Sequence, residues 1–194
     1  MGKLYFRHGT VGSAKTLNLL AVAHNYHQQG KRVFLIKPKL DDRFGQEHIR
    51  SRAGIEKPAD LLVEGNTQLE LALFEGLDCI LVDEVQFLSE QLIDQLRHIT
   101  VHLNIPVICY GLRTDFRRTL FPGARRLLEV ADAIEEVKTT CAYCNKKAIY
   151  NLKFLNGKPT LQGPVVDLGA EEKYLPACHR CYSAQLTPET ASSS

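Results

Sequence analysis

Gly9-Thr10-Val11-Gly12-Ser13-Ala14-Lys15-Thr16 is a glycine-rich turn ending in Lys-Thr. It differs from the phosphate-binding pattern Gly-x-x-x-x-Gly-Lys-Thr at one place, where Ala14 stands for the second glycine. Backbone N–H groups of such a turn converge on phosphate oxygens, and the helix that follows adds its positive end. In that frame Lys15 reaches the outer phosphates and the Thr16 hydroxyl is placed for Mg²⁺. Gly9 and Gly12 give the turn its flexibility. A methyl at position 14 is tolerated if the backbone there is helical, and is costly if φ is positive. A turn that merely starts a helix would use the same glycines, so the flanking sequence has to decide.

Outward from this turn the chain alternates between strands and helices. Leu4–Phe6 runs into the turn as a short strand, and Leu17, Leu20 and Ala21 mark a helix that Gly30 ends. Val33-Phe34-Leu35-Ile36 is a continuous apolar run suited to a strand covered on both faces, closed by Pro38. Residues 39–58 are charged and lack a period, which predicts an exposed loop that a ligand can order. Further strands are expected at Leu61–Val63, Cys79–Val82, Pro106–Tyr110 and Ile134–Val137. Helices are expected at Gln68–Phe74, after a Ser89 cap, and at Gly123–Ala131. This order predicts an α/β fold, a parallel sheet with helices on both faces. The pattern changes near Thr139, dividing a core at residues 1–138 from a small second domain at 139–194. That domain is too short for a large core of its own and needs a staple.

Four apolar residues lead directly into Asp83-Glu84. Ligands of open parallel sheets bind at the carboxyl ends of strands, so this acidic pair belongs at the same rim as the glycine turn. Asp83 can hold Mg²⁺ directly or through water. Glu84 can accept a proton from an attacking hydroxyl or orient a water. Phe87 can pack on a base or merely cover the sheet. The segment Gly111-Leu112-Arg113-Thr114-Asp115-Phe116, extended by Arg117, Arg118 and Phe121, follows another buried strand. Its aromatic and guanidinium groups suit a base-and-phosphate pocket, or equally a loop anchored by its rings with its charges in water. Asp41, Asp42 and Arg43 share that ambiguity.

Of the six cysteines, four form the pairs Cys141-x-x-Cys144 and Cys178-x-x-Cys181. Each pair brings two thiolates together, and the two pairs can complete a tetrahedral Zn²⁺ shell that leaves no open position for a reacting water; a redox pair or disulfides are the alternatives. The metal is therefore structural, with His179 the weaker ligand candidate. Paired knuckles fit a reducing compartment better than a disulfide framework. The N-terminus lacks an apolar leader and no run is long enough to span a bilayer, which predicts a cytoplasmic protein without membrane contact. A net charge of +2 and the absence of a basic stripe disfavour a nucleic-acid binder.

Together these segments resemble the zinc-containing, phosphate-loop thymidine kinase family. The turn at 9–16, Val82-Asp83-Glu84-Val85-Gln86-Phe87, Cys109 through Phe116, Gly169-Ala170-Glu171-Glu172-Lys173-Tyr174 and both knuckles occur in that family's order. The resemblance implies a recombinase-like nucleotide-binding core with a small zinc-held lasso. The activity implied is transfer of the ATP γ-phosphoryl group to the 5′-hydroxyl of thymidine or deoxyuridine, in nucleotide salvage. It implies Glu84 as catalytic base, with the loop residues Gly9 to Thr16, Asp83, Asp41 and Arg43 at ATP and Mg²⁺. Phe87, Leu112, Phe116, Phe121, Val166 and Tyr174 are implied around the nucleoside, with residues 163–174 closing over the thymine. It also implies a homotetramer inhibited by thymidine triphosphate. An ATPase, another nucleoside kinase and a zinc-stapled nucleotide-binding module share parts of this pattern but need not share its combination.

Overall fold

The computed structural model describes residues 1–40, 47–165 and 174–187. Strands β1 (Leu4–His8), β2 (Val33–Pro38), β5 (Leu61–Val63), β6 (Cys79–Val82), β7 (Val107–Gly111) and β8 (Ala133–Glu136) form one sheet. The order across it is β5-β2-β6-β7-β1-β8, and every pairing is parallel. Parallel neighbours need crossovers, and these supply the helices α1 (Lys15–Gln28), α2 (Glu90–His102) and α3 (Pro122–Val130). Leu19, Leu20 and Ala23 of α1 pack with Leu35, Leu81 and Tyr110 on one face. On the other face, Leu92, Ile93 and Leu96 of α2 and Leu127 of α3 pack with Phe6, Ile80 and Val82. Successive β6 residues therefore feed opposite cores, and all four are buried, as their apolar run requires. The Ser89 hydroxyl accepts from Leu92 N–H at 3.2 Å and caps α2.

Two expectations need correction. Within residues 39–58, expected to be an exposed loop, lies an antiparallel hairpin, β3 (His48–Arg50) with β4 (Glu56–Pro58). Ile49 is its anchor, fully buried against the α1 side of the sheet, and Arg50 reaches Glu56 across the strands at 2.5 Å. Gln68–Phe74 is not a helix of its full length. A single 3-10 turn at Leu71–Phe74 replaces it, because so short a segment cannot offset the cost of helix nucleation.

A second sheet, β10-β9-β11, follows the core: β9 (Tyr150–Leu155), β10 (Lys158–Thr160) and β11 (Tyr174–Ala177). An Asn156-Gly157 turn joins β9 to β10, with both residues at positive φ (51° and 74°), as a type I′ hairpin requires. Helix α4 (His179–Leu186) was not expected; it starts at Cys178, whose sulfur accepts from Cys181 N–H at 3.5 Å. The apolar cluster here is small, built on Cys141, Leu152, Ala177, Cys178 and Tyr182.

Candidate active site

Because the large sheet is parallel, the loops leaving β1, β6 and β7 all emerge at one rim. The glycine turn leaves β1, and Gly9 N–H donates to Gly111 O at 3.3 Å, fastening it to the end of β7. A Cβ at Gly9 would lie 2.5 Å from Val137 O and 2.4 Å from Ser13 Oγ, so no larger residue fits. Ala14 adopts φ 60° and ψ 30° at the start of α1, the left-handed region where a methyl is costly. The penalty foreseen from the sequence therefore applies. Replacing Ala14 by Gly is expected to raise stability by about 1 kcal/mol. This would appear as a higher urea midpoint at unchanged slope; an unmoved midpoint would show that the turn already relieves the strain.

At the end of β6, Asp83 is 6% exposed. It accepts from the Thr16 hydroxyl at 3.1 Å through Oδ2 and from Glu84 N–H at 3.0 Å through Oδ1. Burial pushes the Asp83 pKa up; the Glu84 N–H, the Thr16 hydroxyl and the charges of Lys37 and Lys15 oppose that. A hydroxyl and a carboxylate oxygen 3.1 Å apart fit neighbouring positions on octahedral Mg²⁺, whose adjacent ligands lie about 2.9 Å apart. Glu84 is half-buried and, at φ 47°, also left-handed. A non-glycine residue held in this conformation is characteristic of functional sites.

Lys15 Nζ donates to Thr10 O at 2.7 Å and to Ser13 Oγ at 3.1 Å. Burial pushes its pKa down to about 8, the charges of Asp83 and Glu84 oppose the shift, and Arg52 adds to it. The lysine and both carboxylates thus feel one another's charge. Thr10 Oγ1 is buried without a hydrogen-bond partner among the described residues, a hydroxyl left over for a ligand.

Beside this polar centre lies an aromatic wall. Phe87 and Phe121 meet edge to face with centroids 5.5 Å apart, and both pack with Leu112 on the α2 side of the sheet. Leu112 N–H is held by Gln86 Oε1 at 3.1 Å. Phe116 is 1% exposed, with Arg117 Cζ and Lys153 Nζ each 4.6 Å from its ring centroid. Its ring is 6.4 Å from that of Tyr174. Lys153 Nζ donates to Pro164 O at 2.9 Å, and Arg117 donates to Leu161 O and Gly163 O at 3.0 and 2.6 Å. The segment approaching residue 165 is therefore tied down by two cations that share Phe116. Asp41, Arg43 and Val166 lie outside the described residues.

The sulfurs of Cys141, Cys144, Cys178 and Cys181 all lie within 4.8 Å of one another, and Cys144 and Cys178 are 3.7 Å apart. Tetrahedral zinc with Zn–S of about 2.3 Å separates its sulfurs by about 3.8 Å. The donor set fits structural zinc, and His179 is not part of it. Among the described residues, no helix is long and apolar enough to cross a membrane.

Three residues at the site escaped the sequence reading. Arg52, in the β3–β4 turn, has Nη1 3.8 Å from where a Gly12 Cβ would stand. Gln86 was read only as part of a motif, and Asn151, from the second sheet, donates and accepts at the rim. No local pattern announces Arg52 or Asn151, and the hold of Gln86 on Leu112 N–H joins segments far apart in the chain, since each acts through tertiary approach.

The family model described as thymidine kinase matches residues 2–182. Among curated relatives, the chain is 41% identical over 191 residues to a thymidine kinase of Lactiplantibacillus plantarum, covering 96% of this chain and 100% of that one. It is 40% identical over 187 residues to a thymidine kinase of Streptococcus pyogenes serotype M3, covering 94% and 97% of the two chains. A Lactococcus lactis thymidine kinase is 39% identical over 189 residues, with the same coverages.

Proposed function

Because the chain belongs to the thymidine kinase family, we propose that the β1–β6–β7 rim is where it transfers the ATP γ-phosphoryl group to the 5′-hydroxyl of thymidine. The observation that carries this placement is the joining of Lys15, Thr16, Asp83 and Glu84 at one end of a parallel sheet.

In this reading the turn at 9–16 holds the phosphates with backbone N–H groups, and the Lys15 ammonium meets the outer phosphate oxygens. Thr16 and Asp83 would hold Mg²⁺, which when bound neutralises charge on the β- and γ-phosphates. Glu84 accepts the 5′-hydroxyl proton as the oxygen attacks phosphorus and the bond to the ADP oxygen breaks. Phe87, Leu112 and Phe121 pack on the nucleoside, and Tyr174 acts with the segment beyond Val165 over the base. The four cysteines hold zinc, which keeps that segment's anchors in place.

Incubating the purified protein with ATP·Mg²⁺ and each deoxynucleoside tests the activity. Thymidine and deoxyuridine are the expected acceptors, and failure to phosphorylate thymidine overturns the reading. The same assay checks Lys15. Its pKa is lowered to about 8, so the ammonium that meets phosphate is present below that pH and lost above it. kcat/KM for ATP, which reports the free enzyme, is expected to be level below about pH 8 and to fall toward tenfold per unit above it. A level profile to pH 9.5 would mean that Lys15 keeps its proton throughout that range, and loss of ATP binding in Lys15→Met would still test its contact with phosphate.

A further inference from the structure

Asn151 lies on β9 and is 4% exposed, and its side-chain amide serves two distant backbones. Oδ1 accepts from Val11 N–H at 2.9 Å, and Nδ2 donates to Thr114 O at 3.2 Å. The first contact falls on a particular peptide group. The carbonyl of that same unit, Thr10 O, accepts from Lys15 Nζ at 2.7 Å and Ser13 N–H at 3.2 Å. One peptide plane is therefore gripped from both sides, by the lysine on its carbonyl and by Asn151 on its N–H. Rotation of the plane would move the acceptor that places the Lys15 ammonium. β9 is in turn fixed by the cysteine-bearing segments: it pairs with β11, which leads into Cys178, and Ala142 N–H donates to Pro176 O at 2.9 Å.

We propose that Asn151 is a positioning residue for the ATP site, and that through it the zinc-held sheet shapes the phosphate turn as well as the nucleoside side. The proposal takes ATP as the nucleotide from the function assigned above, but its test does not need the transfer reaction. Calorimetry would measure the Kd of ATP·Mg²⁺ and of thymidine for the wild-type protein, Asn151→Leu and Asn151→Ala, with zinc content determined for each.

Leucine fills the same space and leaves Val11 N–H unpaired. Its ATP Kd is expected to weaken about tenfold. Thymidine Kd is expected to weaken severalfold less than ATP Kd, because the lost Nδ2 bond to Thr114 O touches the loop of Leu112 and Phe121 only at its backbone, with zinc at wild-type content. Alanine opens the site toward the polar cleft lined by His8, Thr10, Arg113 and Glu136, where water can reach the N–H, so its ATP loss is expected to be smaller. A packing role predicts the reverse order, because alanine leaves the larger void. Equal loss of both ligands, unchanged ATP affinity in the leucine variant, or alanine worse than leucine would overturn the proposal. If the leucine variant does not fold, the ratio of ATP to thymidine loss in the alanine variant decides: a selective ATP loss supports the proposal and an even loss overturns it. Wild-type protein that binds ATP but leaves thymidine unphosphorylated would sink the functional reading and not this one.

Discussion

Replacing Glu84 by Gln is expected to lower kcat by about 10²- to 10⁴-fold, the range in which a positioned general base contributes. Glutamine keeps the side chain's length and an acceptor oxygen, and differs in being unable to take the proton. The backbone at this residue is left-handed, and one non-glycine residue replacing another there adds little new strain. Asp83 keeps its bonds to the Thr16 hydroxyl and to the residue 84 N–H, since the latter is backbone. KM for ATP is therefore expected to change little, and the unfolding midpoint to stay near wild type. A loss in kcat and kcat/KM together, at steady KM, is the signature of an interaction made in the transition state. The transition state of phosphoryl transfer is loose, so the proton can leave late, which favours the lower end of the range. Near-normal turnover would take Glu84 out of the reaction and leave it as a strained rim residue.

What the sequence disclosed depended on how local each signal was. β6 was legible because Cys79-Ile80-Leu81-Val82 offers no polar residue to an exposed face, and Asp83 could then lie only at its end. Ser89 was legible because a cap is a contact three residues long. The β3–β4 hairpin was not, since Ile49 is its one fully buried apolar anchor and Arg50–Glu56 is a cross-strand pair that charge patterning does not distinguish from a wet loop. Helix α4 was hidden because its first turn is organised by the second cysteine knuckle.

The site divides along the same line. The glycine turn, the acidic pair and the knuckles are contiguous motifs. Lys15 reads as a phosphate ligand, but its lowered pKa comes from burial and from Arg52 of the hairpin, against the opposing charges at the end of β6. Ala14 was legible as a departure from pattern, and the sign of its effect needed the folded backbone, where φ is 60°. Asn151 acts on a peptide group 140 residues earlier, so no spacing within the chain could have marked it.

Replacing Cys144 by Ser is expected to lower zinc content, folded stability and thymidine affinity together. Among the described residues the second sheet has three short strands and a core of five buried residues, two of which are Cys141 and Cys178 of the four-cysteine cluster. So little apolar surface cannot by itself offset the ordering of the chain around it. Structural zinc contributes apparent free energies of about 10–16 kcal/mol in isolated zinc-finger peptides at neutral pH. A serine in the shell replaces a thiolate with a poor zinc ligand, so much of that contribution is lost.

The consequences travel along identified bonds. Tyr182 of α4 donates to Phe116 O in the loop after β7, and Arg118 of that loop lies over the rings of Tyr150 and Tyr182. Lys153 holds Pro164 O at the start of the segment leading to Val165. When the sheet loosens, the loop carrying Leu112 and Phe121 loses its outer support, and Tyr174 loses the strand that positions it. The large sheet keeps both of its cores, so the expected thermal profile is a separate early transition followed by the main one. Because Asn151 belongs to the same sheet, ATP affinity is expected to fall as well, whereas Asn151→Leu alone is expected to weaken ATP more than thymidine. Unchanged zinc content with an unchanged thymidine KM in the Cys144 variant would mean that the cysteines do not hold the nucleoside side of the site.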